Sequence, residues 1–298
     1  MTPFQTALDP TTQAPTTLAA TALAPMVLPK ARALTDALTA PAVTPAVTDG
    51  DRLALAESLR AGLSARSGTR PGTQLTVNGY LLRSPGATPS TPFRWSARTA
   101  RRAIGLPAVR HCREGAPRTP AEAVAGVVDE LATEGKRGLG RPGSLGRWLA
   151  GQPAGGRAAV RAEATGWCTT VVGAVEWARL PAADVGPTDQ WWAVAGTALR
   201  ARADVRVAVP PAADGTGGDG GGRTALLTVA AGWPGATSRA ELGLAALVAA
   251  VNGGEVPARV VGWWPECGRA VLADVDRGFL DATAAAVVET VREVRQAG

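Results

Sequence analysis

Lysine is nearly missing from this chain: of 31 basic residues in 298, only Lys30 and Lys136 are lysine and the other 29 are arginine. A reaction that needs a lysine inside the fold therefore has almost no candidate, and arginine is a poor replacement as a base because its pKa lies above about 12. Histidine is scarcer still, with His111 alone. A Ser-His-Asp triad would have to use that residue, and no nucleophile elbow lies beside it. Cys112, Cys168 and Cys267 are far apart and form no CxxC pair. Their odd number excludes a complete disulfide framework, three are too few for four-cysteine iron–sulfur centres, and without a CxxC pair they lack the spacing of structural Cys/His zinc sites. No apolar run reaches the roughly 18–20 residues of a membrane span, so no membrane partner is expected.

What remains is a globular composition. Apolar residues make up 46% and charged residues 19%, which is too apolar for disorder and enough to bury a core. The length fits one large domain or a folded core with an appended tail. The formal charge of +6 has two readings: codon drift in a GC-rich genome, which favours arginine, or attraction to an anionic partner such as nucleic acid. Residues 1–48 are rich in Thr, Ala and Pro and read as a flexible tail with one short helix near 30–39. They lack the basic start, apolar centre and small-residue cleavage site of a secretory signal, so a cytoplasmic protein is expected.

Leu53, Leu55, Leu59 and Leu63 have helical spacing, and Gln74–Leu82 alternates like a strand. Ser96 caps a helix with Ala100, Ala103 and Ile104 on one face and Arg98, Arg101 and Arg102 on another. Pro107 bends or ends it. Across 94–113 stand Arg94, Arg98, Arg101, Arg102, Arg110 and Arg113 with no carboxylate. They read as a phosphate-contacting face or as a solvated one. Thr119–Glu122 is a capping box for a helix to Thr133, and Ser144–Ala150 is a short helix. From Arg157 to Ala178, Val160, Ala164, Trp167, Val171 and Val175 form the longest apolar stripe, with Glu163 beside it.

The period then switches to two. Gln190–Leu199 and Ala203–Val209 read as strands joined by a turn at Arg200-Ala201-Arg202, and Thr224–Ala231 as a third strand. Pro210–Gly222 between them is a glycine-rich connector without the Lys-Ser/Thr of a phosphate-binding loop. Ser238–Glu241 is a second capping box, opening a helix to Val251. Ala258–Trp264 and Ala270–Ala273 are further strands, and Phe279–Val294 is a terminal helix. Trp191-Trp192 and Trp263-Trp264 place adjacent rings on opposite sheet faces, where an exposed ring could stack on a base or dock a protein. The predicted fold is α/β, a mixed sheet flanked by helices.

The order helix, three strands, helix, strand, helix from residue 157 onward resembles the core of the PD-(D/E)XK nuclease superfamily, in its RecB-like branch. The blocks that carry it are Ala203-Asp204-Val205, the strand Leu226–Gly232, and the helix Glu241–Leu247. Pro92-Phe93-Arg94-Trp95-Ser96 is similar to the arginine-rich leader of actinobacterial members. The resemblance spans about 90–295. It implies three regions: a tail at 1–48, an arginine-rich helical extension packed on the core at 49–156, and a nuclease-like core at 157–298.

In that family an acid on the first helix, an Asp on the second strand and an Asp/Glu-x-Lys on the third hold magnesium and orient the attacking water. Glu163 and Asp204 match the first two positions. Val229 stands at the third-strand acid, Ala231 at the lysine, Glu241 at the following helix's Gln and Ala245 at its Tyr. The resemblance thus implies a nuclease fold that has lost its catalytic centre and binds nucleic acid or a protein. Glu163 and Asp204 alone would hold Mg2+ only weakly, and no other cofactor is implied. Two alternatives stay open: a nuclease with an atypical site on Glu163 and Asp204, and a structural subunit with no nucleic-acid role.

Overall fold

Two apolar faces of one β-sheet organise the chain, each covered by helices. The computed structural model describes residues 26–27, 31–42, 44–64, 74–84, 94–114, 118–139, 141–180, 182–210, 223–230, 232–235 and 238–297. In chain order the elements are β1 (Met26–Val27), α1 (Ala31–Thr39), α2 (Asp49–Ser64), β2 (Leu75–Val77), α3 (Gly79–Arg83), α4 (Ala97–Arg113), α5 (Pro120–Lys136), α6 (Leu145–Ala150) and α7 (Ala154–Ala174). A 3-10 turn (Trp177–Arg179) leads into β3 (Asp184–Val194), β4 (Thr197–Val209), β5 (Arg223–Val229), α8 (Ser238–Val251), β6 (Arg259–Trp264), β7 (Arg269–Asp274) and α9 (Arg277–Ala297).

The sheet is mixed and open, in the order β1-β7-β6-β5-β4-β2, with β3 also paired to β4. β5 and β6 are parallel, as are β2 and β4, and the remaining pairs are antiparallel. Leu55, Leu82, Leu247 and Val287 fill the side covered by α2, α3, α8 and α9. Leu34, Ile104, Val124 and Val171 fill the side covered by α1, α4, α5 and α7. No helix among the described residues is long and apolar enough to cross a membrane.

One break in the ladder positions the site. β3 runs along one edge of β4. On the other edge β2 pairs with Thr197–Leu199, while β5 pairs with Val205–Val209. The carboxyl ends of β2 and β5 therefore point toward each other across a gap, and Arg200–Asp204 line it. The carboxyl ends of strands are where open α/β sheets form their crevices.

Local chemistry explains the helix starts. Ser96 and Thr99 form a reciprocal capping box for α4, as Thr119 and Glu122 do for α5. The Asn78 side chain accepts Leu81 N–H at 3.0 Å, so α3 opens directly after β2 and shortens the strand expected over 74–82. Leu55, Leu59 and Leu63 are buried as expected, whereas Leu53 is exposed because it falls outside their four-residue spacing.

Four expectations need correction. The turn expected at Arg200-Ala201-Arg202 lies instead at Ala195-Gly196, where both residues have positive φ, 47° and 73°. That is the pattern of a tight two-residue hairpin, and it leaves β4 continuous through its arginines. Pro107 does not end α4, which runs on to Arg113; burial of Ile104, Leu106, Ala108 and Val109 around it offsets the lost N–H. The long helix at 157–178 is shifted, with α7 ending at Ala174 before Val175 turns extended. Among the described residues Glu241 makes no capping box: Ser238 Oγ accepts Gly235 N–H at 2.8 Å, and Glu241 turns inward to Arg83. Residues 1–25, Pro92-Phe93, most of the Pro210–Gly222 connector and Ala231 lie outside the described residues.

Candidate functional site

At the carboxyl ends of β5 and β6, a cleft of about 410 Å3 opens between α7 and the turn that follows β6. Arg101, Glu163, Gly166, Trp167, Pro265 and Glu266 are among its lining residues. Trp167 is set by its neighbour: its ring lies directly over Gly105 of α4, where no side chain would fit. α4 thus packs close against α7 and carries its arginines to the cleft and the sheet gap.

Asp204 is fully buried in that gap. Arg102 grips it side-on, Nε to Oδ1 at 3.2 Å and Nη2 to Oδ2 at 2.6 Å. Oδ2 also accepts the Val229 N–H at 2.8 Å. The carboxylate therefore closes the end of the β5 ladder and neutralises a guanidinium from the helix layer. Arg202 adds charge from two residues away on β4, with Nε 3.9 Å from Oδ1 and no hydrogen-bond partner among the described residues. Burial, followed by the like charge of Arg102, lowers the Arg202 pKa from its ordinary value.

A second cluster stands at the cleft. Glu266 accepts a short hydrogen bond from Arg101, accepts the Gly232 N–H at 3.0 Å and lies 3.5 Å from Arg98. The Arg101 hydrogen bond, aided by Gly232 N–H and the Arg98 charge, holds its carboxyl below the usual carboxylate range. Glu163 is 3.9 Å from the other Arg101 nitrogen and half exposed. Trp233, next to Gly232, is 65% exposed with Arg269 packed 5.3 Å from its ring centre. On the far side of the gap Glu241 lies 3.1 Å from Arg83. Burial pushes its carboxyl above the usual range, against the pull of Arg83 and Arg102.

The structure brings Glu163, Asp204, Arg98, Arg101 and Arg102 to this region. It does not bring Arg110 and Arg113, which lie about 13–18 Å farther along α4. Arg110 pairs with Glu114, and Arg113 donates to the Leu180 and Ala183 carbonyls while stacking on Trp177. Arg94 is exposed ahead of the helix cap. Val229 and Ala245 are buried packing residues on opposite faces of the sheet. Trp263 and Trp264 are both covered by helices, whereas Trp191 is half exposed and stacked with Arg200.

These donors do not fit a magnesium ion. Asp204 already accepts hydrogen bonds from a guanidinium and a backbone N–H, Glu163 faces Arg101, and Val229 on β5 brings no carboxylate. Among the described residues no group of three His, Cys, Asp or Glu could hold a metal. Glu266, Arg83, Trp233 and Arg269 escaped the sequence reading. A carboxylate one residue beyond Pro265 at the end of a buried strand was the available signal for Glu266. No protein-family model matches the chain, and no curated protein is similar to it.

Proposed function

We propose that this protein is a PD-(D/E)XK-type fold whose catalytic centre has been replaced by arginine–carboxylate pairs, and that it binds nucleic acid without cutting it. The Arg102–Asp204 pair carries the reading: a guanidinium supplies the positive charge that a divalent cation supplies in a cutting enzyme. The succession α7, β3, β4, β5, α8, β6 supports the fold assignment, with the region before α7, mostly helical and arginine-rich, adding β1 and β2 to the sheet. The charge of +6, the arginines at the cleft and the exposed Trp233 beside them favour a nucleic-acid ligand over a protein one. Free thiols at Cys112, Cys168 and Cys267 accord with a reducing, cytoplasmic setting.

The test is to incubate the purified chain with labelled single- and double-stranded DNA and RNA, with Mg2+ or Mn2+. Binding without cleavage is expected. Cleavage abolished by Asp204→Ala would establish an enzyme instead. Absence of binding at about 50 mM salt, where phosphate contacts are strong, would overturn the nucleic-acid reading and leave a protein partner.

A further inference from the structure

The Glu266 carboxylate is held as an anionic ligand would be. Two guanidiniums, Arg98 and Arg101, and one backbone N–H, from Gly232, converge on it. This donor set is the kind that recognises a phosphate: guanidinium cations plus an oriented amide. We propose that Glu266 is an internal stand-in for a nucleic-acid backbone phosphate, which the ligand displaces when it enters the cleft. The inference rests on the nucleic-acid reading above and adds to it a built-in competitor.

Three observations single out Glu266 among the site's acids. Asp204 is fully buried and closes a sheet ladder, Glu241 is enclosed behind α3, and Glu163 is fixed on a helix. Glu266 instead sits in the turn between β6 and β7, which Gly268 completes at φ 64°, with a third of its side chain in solvent. It is the acid whose withdrawal disturbs the least packing. Withdrawal also leaves a site of the right sign: the gap and cleft hold Arg83, Arg98, Arg101, Arg102 and Arg202 against four carboxylates. Releasing Glu266 raises the local excess from one positive charge to two. Arg101, only 17% exposed, would then be a poorly hydrated guanidinium at the cleft wall, a strong partner for a phosphate oxygen.

The experiment titrates the full chain with a fluorescent oligo(dT) of about twenty nucleotides over a range of salt. Glu266→Gln is expected to bind about tenfold tighter than wild type, the effect of freeing one charge-assisted pair. Its slope of log affinity against log salt should steepen by about 0.7–1.4, one or two extra phosphates on a single strand. Glu255→Gln removes the same charge at the opposite end of β6 and should stay within about twofold of wild type. Glu266→Asp keeps the charge and shortens its reach by one methylene; it should also bind tighter than wild type, which a pure charge effect does not predict. If wild type binds but neither Glu266 variant binds tighter than Glu255→Gln, the stand-in is refuted and the nucleic-acid reading survives. If neither wild type nor the Glu266 variants bind, both fall together.

Discussion

The Arg102 guanidinium and the Asp204 carboxylate meet edge to edge, joining α4 to the centre of the sheet with two hydrogen bonds to a fully buried acid. Removing the cation alone strands a charge in an apolar setting. Arg102→Met is expected to lower stability by about 2–4 kcal/mol, somewhat below the usual loss for breaking a buried pair because Arg102 is a third exposed. The double variant Arg102→Met with Asp204→Asn should recover part of the loss, since the buried carboxylate is neutralised and the Asn oxygen can still accept Val229 N–H, while the Arg202 guanidinium keeps its charge beside it. Urea unfolding of both variants measures this. A double variant as unstable as the single would show that the loss comes from packing.

Glu241 makes a pH prediction of definite sign. Burial raises its folded-state pKa, so the folded protein binds this proton more tightly than the unfolded chain. Its contribution to stability therefore falls as pH rises from the unfolded value near about 4.3 through the raised folded value. Glu241→Gln removes that penalty, so it should be more stable than wild type at pH 7 by a margin that disappears as the pH falls to about 4. Paired denaturant titrations at the two pH values read it. A variant less stable at pH 7 would mean that the Arg83 ion pair outweighs the cost of burial.

The sequence disclosed what repeats and withheld what depends on distant partners. The stripe Val160, Ala164, Trp167 and Val171 announced α7, and the Ser96 and Thr119 caps announced α4 and α5, because those signals lie within a few residues of one another. The Ala195-Gly196 turn did not stand out, since Ala rarely takes positive φ and only the pairing of β3 with β4 imposes it. At the site, Asp204 and Glu163 were visible as acids at suitable places in the element order. Their partners were not. Arg102 lies about 100 residues before Asp204, and Glu266 about 165 after Arg101, so the six arginines of 94–113 read as a charge run whose counterions come from elsewhere. Two of them, Arg110 and Arg113, serve the far end of α4 and have no part in the cleft.

Gly105 offers a test of the helix pairing that builds the cleft. A glycine in an exposed helix gains up to about 1 kcal/mol on replacement by alanine. At Gly105 the new methyl would overlap the Trp167 ring, so the sign should reverse, with a loss of about 1–3 kcal/mol typical of overpacking. Thermal unfolding of Gly105→Ala supplies the number. A more stable variant would show that α4 and α7 part easily.

On the proposed nucleic-acid reading, Trp233 marks the path that a bound strand would take. Gly232, at φ 79°, donates its N–H to Glu266, so the indole that follows is tied to the cleft wall and still stands 65% in solvent. Arg269 packs over the ring, and most of the indole surface stays open to solvent. Tyr80 is comparably exposed, but it belongs to α3 in the helix layer on the opposite side of the sheet. Base–aromatic stacking contributes about 1–3 kcal/mol per base. Trp233→Leu is therefore expected to weaken oligo(dT) binding by about tenfold or more, while Tyr80→Leu stays within about twofold of wild type. Equal losses at the two positions, or none at Trp233, would mean that the strand does not run past the Glu266 cleft, and the arginines there would serve only to hold α4 on the sheet.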